Sequence, residues 1–139
     1  MKLLKINKKF IESIYQHSKN EFPNECCGIL AGKNNEISEI YIIENTAKSP
    51  YRYLMNPKDF LNADKDSTDK NIEFIAFYHS HTHSPAYPSA TDVRMALESG
   101  WLDVFYALIS LEDIDNPVFK IFSISESGKI NEEKITTID

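Results

Sequence analysis

Cysteine is scarce in this chain. The two that occur, Cys26 and Cys27, are adjacent. Neighbours on a strand point to opposite faces, so the pair offers neither a staple nor a chelating set. No Cys-x-x-Cys spacing is present. That usage fits a reducing compartment and makes the cytoplasm the expected location. Both cysteines are expected as small core residues. Basic residues are also in deficit, with 15 Lys and Arg against 21 Asp and Glu, for a formal net charge of −6. A phosphate-reading surface for nucleic acid, or one for anionic membrane, is therefore not expected. Long hydrophobic runs are missing too. The longest mostly apolar stretch, VFYALISL at 104–111, is far too short to span a bilayer. The opening MKLLKINKKF lacks the apolar region of a signal peptide. Repeats and low-complexity tracts are absent.

A chain of 139 residues can bury about two thirds of its unfolded surface. One domain over residues 1–139 is expected, with no need of a disulfide or structural metal. A metal bound here would belong to function rather than scaffold. Residues 8–20 read as a helix, with Phe10, Ile11, Ile14 and Tyr15 on one face, Asn7 as cap and Pro23 beyond its end. CCGILAG at 26–32 reads as a strand that turns at its glycine, and EISEIYIIE at 36–44 as the next. YRYLM at 51–55 reads as a short third strand. Asn56 and Pro57 open a helix to about Asp66, with DKDSTDKN read as a solvated loop. IEFIAFYHSH at 72–81 is nearly continuous in apolar residues until His79, the pattern of a central strand covered on both faces. Ser89 to Ser99 reads as a helix closed by Gly100, with Val93, Ala96 and Leu97 as its buried stripe. Strands follow at 103–110 and 118–124, with KITTI as an edge strand. Together these predict an α/β layered domain, a central mixed β-sheet flanked by helices.

The chemistry concentrates in HSHTHSPAYPSATD, residues 79–92. His79 and His81 alternate on a strand, so their rings share a face about 6.5–7 Å apart at the backbone. The proline-containing loop returns the chain so that Asp92 falls in the first turn of the next helix, where a carboxylate is favoured in its charged form. Two imidazoles and one carboxylate leave a fourth tetrahedral position open, as in catalytic zinc sites. Hydrolysis would also need a proton acceptor. Glu25, Glu73 and Glu98 are the candidates, and spacing alone does not choose among them. Ser89 has two readings: a helix cap in the box Ser-Ala-Thr-Asp, or a hydroxyl donor to a developing oxyanion. His83 reads as a ligand, as a support for one, or as a loop residue. Phe77 or Tyr78 is expected to pack the site. The zincin signature His-Glu-x-x-His is absent, as are the deaminase pairing of His-x-Glu with Pro-Cys-x-x-Cys and the Gly-x-Ser-x-Gly elbow.

NECCG at 24–28, HSHT at 79–82 and PSATD at 88–92, in that order, resemble the motif of the JAB1/MPN/Mov34 family in its metal-dependent JAMM branch. The resemblance spans essentially the whole chain. It implies zinc held by His79, His81 and Asp92, with Glu25 as general base and acid and Ser89 as stabiliser of the oxyanion. Two departures stand out: Thr82 where the family usually has proline, and Ala76 where glycine often occurs. The chain is most similar to small single-domain bacterial members that act on ubiquitin-like sulfur-carrier proteins. That similarity implies cleavage after a carrier's C-terminal Gly-Gly, with release of cysteine or a C-terminal extension, and YRYLM as a sheet edge for the tail. A general deconjugase of ubiquitin-like modifiers and a non-catalytic interaction module are the alternative readings.

Overall fold

The computed structural model describes residues 3–139. The elements are β1 (Leu3–Asn7), α1 (Lys8–Glu21), β2 (Cys27–Lys33), β3 (Glu36–Ile43), α2 (Pro57–Asp69), β4 (Glu73–His81), α3 (Ala90–Ser99), β5 (Phe105–Ser110), β6 (Val118–Ile124) and β7 (Ile130–Ile138). The architecture is α/β, a mixed sheet with three flanking helices. The strand order is β1-β3-β2-β4-β5-β6-β7, and the sheet closes on itself as a barrel.

Closure comes from a strand the sequence pattern did not disclose. β1 is short and interrupted by Lys5, yet it pairs in parallel with β7 from Leu3↔Lys134 to Asn7↔Ile138. β7 is therefore paired on both sides and begins at Ile130, which corrects the expectation of an edge strand at KITTI. The other side of β1 meets β3 at the single pair Lys5↔Glu36.

β4 lies between β2, antiparallel, and β5, parallel. Its last seven residues are all buried, as the apolar run predicts. Alternation along β2 and β4 splits the core in two. Cys26, Leu30, Ala76 and Tyr78 join Ile14 of α1 and Leu4 and Ile6 of β1 on one face. Cys27, Ile29 and Phe77 meet Ala63 of α2 and Ala96 of α3 on the other. Both cysteines are thus buried and unpaired, in different layers.

Helix ends follow their caps. Asn7 accepts from the Lys9 N–H and Asn56 from those of Lys58 and Asp59. Gly100 closes α3 in the left-handed conformation. Four local expectations are corrected. The turn after β2 is made by Asn34 and Asn35, at φ 53° and 58°; Gly32 stays in the strand at a register shift. Residues 51–55 form no strand. Only Met55 bridges, to Asn45, and the main chain of the segment is held by the Asn45 side chain and by the Thr46 N–H. α2 runs on to Asp69 through residues read as loop. Its charged turn is held by Tyr41 donating to Asp66 at 2.6 Å and by Lys70 bridging Glu39 and Asp66. In α3, Ala96 is buried and Val93 packs beside it, but Leu97 is exposed. Among the described residues, no helix is long and apolar enough to cross a membrane.

Two glycines mark close approaches. A Cβ on Gly28 would collide with the Tyr78 ring, and one on Gly32 with the main-chain carbonyl of Glu36. Gly28→Ala is expected to cost about 1–3 kcal/mol, the usual penalty of overpacking. Gly32→Ala should cost more, because a backbone carbonyl cannot rotate aside. Urea unfolding of both variants checks the ranking, and an equal or smaller loss at Gly32 contradicts it.

Candidate metal centre

The site forms where the end of β4 meets the start of α3. His79 and His81 are the seventh and ninth residues of a buried strand whose alternation puts both rings on one side, with centroids 5.0 Å apart. Beyond the strand the chain stays pinned. Leu111 N–H donates to the His81 carbonyl at 2.9 Å, Ser110 Oγ to Ser84 O at 2.7 Å and Thr82 Oγ1 to Pro50 O at 3.1 Å. Proline at position 82 could not make that last bond.

Asp92 arrives through a capping box. Its N–H donates to Ser89 Oγ at 3.0 Å, and the Ser89 N–H donates back to Asp92 Oδ2 at 2.9 Å. The same Oδ2 lies 3.1 Å from His79 Nε2 and 2.9 Å from His81 Nε2. The two ring nitrogens are 3.2 Å apart. All three residues are buried, and their ligand atoms lie within 4.8 Å of one another.

The donor chemistry fits a cation. His81 Nδ1 lies 2.9 Å from the Pro85 carbonyl, which can only accept, so Nδ1 carries the proton. In the neutral ring Nε2 is then a bare lone pair facing a carboxylate oxygen. Only a shared proton or a metal ion makes that contact favourable. The carboxyl of Asp92 resists ionisation through burial, but the His79 and His81 rings and the Ser89 N–H overcome this and hold it well below the usual carboxylate range. At His79 burial lowers the pKa and the nearby carboxylate does not restore it. At His81 burial acts the same way, but the bonds to Asp92 and Pro85 outweigh it and the pKa rises. An ionised Asp92 beside a neutral His79 is the state that metal binding requires.

Of the three candidate bases, only Glu25 reaches this end of the sheet. It is 4% exposed, and its Oε1 is buried without a hydrogen-bond partner. Burial pushes its carboxyl up to about 8, while His81 draws it down and Asp92 pushes it further up. Glu73 sits at the opposite end of β4, and Glu98 is exposed beside Arg94. His83 stays outside the cluster, exposed, against Thr82 and Phe22. Ser89 is a cap in fact, and its own O–H remains to be donated.

Two residues of the site's support, Tyr53 and Asn45, were missed. Tyr53, not Phe77 or Tyr78, stacks on His79 at 4.4 Å and 29°. Phe77 turns into an aromatic cluster with Phe60, Trp101 and Tyr106. Tyr78 points to the other face, where its hydroxyl meets His17 Nδ1 at 2.7 Å. Asn45 bonds the Glu25 main chain. Spacing could not find these contacts, which join residues remote in sequence, although a tyrosine and an asparagine amid the loop residues 44–56 were visible.

Residues 7–125 match the family of prokaryotic homologues of the JAB domain. The chain is 30% identical to a CysO-cysteine peptidase of Mycobacterium tuberculosis over 139 residues, covering 99% of this chain and 92% of that protein. It is 31% identical to a desampylase of Pyrococcus furiosus over 111 residues, 80% of this chain and 74% of that one. The solution structure of a Desulfitobacterium hafniense protein superposes with a TM-score of 0.85 at 32% identity, over 98% of this chain and 93% of that one. With its buried His-His-Asp cluster capable of coordinating a metal ion, the chain belongs to the prokaryotic homologues of the JAB domain.

Proposed function

We propose that residues 1–139 form one zinc metallopeptidase domain that hydrolyses the bond after the C-terminal Gly-Gly of a ubiquitin-like sulfur-carrier protein, releasing cysteine or a C-terminal extension. The observation that carries this reading is the convergence of His79, His81 and Asp92 at one point beside the buried, unpartnered carboxyl of Glu25. Similarity to a CysO-cysteine peptidase over nearly the whole chain supports the substrate class.

His79 Nε2, His81 Nε2 and Asp92 Oδ2 are the atoms that would hold one zinc ion, a set that leaves a tetrahedral position open. When bound, the ion polarises the scissile carbonyl and makes water acidic enough to react near neutral pH. Glu25 takes a proton from the attacking water as its oxygen adds to the carbonyl carbon. Burial gives that carboxyl the proton affinity the task needs. As the C–N bond breaks, Glu25 passes the proton to the departing amine. The Ser89 O–H donates to the carbonyl oxygen as negative charge grows there. The products are a free Gly-Gly carboxylate and an amine.

Similarity to a desampylase favours a second reading, general deconjugation of ubiquitin-like modifiers. The two differ in the leaving amine, which is free cysteine in one and a protein lysine in the other. Rates on a carrier ending in Gly-Gly-Cys and on a carrier linked to a lysine side chain separate them. An intact ligand set beside a buried glutamate speaks against a non-catalytic interaction module.

Protein purified without chelator should hold about one zinc per chain, and His79→Ala should abolish it. Stripping the metal from the wild type should lower Tm yet leave a cooperative fold, since neither large apolar cluster includes a residue of the His-His-Asp group. Loss of the fold on chelation would make the metal structural. Glu25→Gln should retain zinc and lower kcat about 10²–10⁴-fold; full activity would remove Glu25 from its role. Ser89→Ala should lower kcat about 10²-fold with zinc retained, and cost about 1 kcal/mol through the lost cap. Unfolding and steady-state kinetics on one preparation read both effects.

A further inference from the structure

Asn45 is buried just after β3, and its side chain uses every hydrogen-bonding position it has. Nδ2 donates to the Glu25 carbonyl at 2.9 Å and to the Arg52 carbonyl at 3.1 Å. Oδ1 accepts from the N–H groups of Ala47 at 3.0 Å and Leu54 at 2.9 Å. Two carbonyls on one side and two N–H groups on the other fix the orientation of the amide.

The partners are not arbitrary. Arg52 and Leu54 bracket Tyr53, whose ring lies on His79. Glu25 stands two residues ahead of the first ladder pairs of β2, which begin at Cys27 with Ile43 and His79. Glu25 itself makes no ladder pair, although the next residue is tied to β4, the Cys26 N–H donating to Ser80 Oγ at 2.9 Å and the Cys26 carbonyl accepting from the Ser80 N–H at 3.2 Å. The Glu25 side-chain Oε1 has no partner, and its main chain is tied by its N–H to Ser49 O at 2.9 Å and by its carbonyl to Asn45. One side chain thus grips both the segment that carries Glu25 and the segment that backs His79.

Building on the peptidase reading above, we infer that Asn45 is a positioning residue of the active site, which sets Glu25 in register with the His79 ring through Tyr53. It touches no substrate. A displacement of about 1 Å between a proton acceptor and the group it serves can cost about 10²-fold in rate.

Two substitutions separate this role from general loop stability. Asn45→Asp keeps an acceptor for Ala47 and Leu54 but loses the donors to Glu25 and Arg52. Asn45→Ala loses all four bonds. Both should be compared with wild type, zinc-loaded, by residue-resolved amide hydrogen exchange, and by kinetics on a carrier ending in Gly-Gly-Cys. For Asn45→Asp, the Glu25 amide should exchange at least about 10-fold faster while Leu54 stays within about 2-fold of wild type. Its kcat should fall about 10–100-fold with KM within about 3-fold and zinc content unchanged. Asn45→Ala should release both amides. Wild-type protection at Glu25 in Asn45→Asp, or a kcat within about 2-fold of wild type, overturns the inference. So does an even loss of protection reaching Leu108 and Ile121, which would mark plain destabilisation. If the wild type cleaves no Gly-Gly-linked substrate, the peptidase reading fails, and the exchange pattern still decides whether Asn45 holds Glu25.

Discussion

Asp92 Oδ2 is approached by both histidine rings and by the backbone N–H that begins α3. This shared oxygen joins the end of the central strand to the start of the helix. It imposes a condition on everything around it. A carboxylate this buried stays ionised only if donors or a cation surround it. β4 must therefore end at this point, with its rings on this side, and the loop through Pro85 must return α3 to meet them. The capping box joins folding to the cluster with the same atoms, since the carboxylate that caps the helix is also the anionic member of a group that could hold a metal ion.

Beside that anion the fold places Glu25 in a pocket that offers one of its oxygens nothing. A buried, unpartnered carboxyl oxygen is unfavourable for stability. It is also the arrangement that keeps a carboxyl basic. Stability is recovered nearby in Asn45, whose four side-chain hydrogen bonds are complete, and in the Tyr53 ring stacked on His79. The centre thus sets an electrostatically frustrated interior beside a hydrogen-bonded support at Asn45.

How far this was legible in the sequence depended on whether the deciding forces were local. β4 announced itself because a strand buried on both faces is apolar throughout, and α3 because Ser89, Asp92 and Gly100 each perform a local backbone task. The ligand residues were legible because strand alternation and helix capping fix their directions within a few positions. Barrel closure was not. β1 is short, β7 is mostly polar, and the two pair across nearly the whole chain, so neither looks like more than an edge. The last turn of α2 was read as loop because its charges looked solvated, whereas Tyr41 and Glu39 of β3 neutralise and hold them. Tyr53 was misplaced in a strand for a similar reason: an aromatic-rich stretch has strand-like composition, but here the main chain is bonded largely to the Asn45 side chain and to Thr46 rather than to a neighbouring strand.

The parallel pairing of β1 with β7 also bears on how the chain is made. Leu3 to Asn7 leave the ribosome well before their partners, Lys134 to Ile138, which come more than a hundred residues later. Through most of synthesis the strand pairing of β1 is limited to Lys5–Glu36, while Leu4 and Ile6 share a cluster with Ile14 of α1. The strands that bear Glu25, His79 and His81 can pair with each other well before then. The end that carries the two histidines of the cluster is therefore assembled early in a nascent sheet whose seam is still open. Ring closure comes last, as a slow long-range step, and until it is complete the edges of β1 and β6 are the part of the nascent protein most open to capture by other chains.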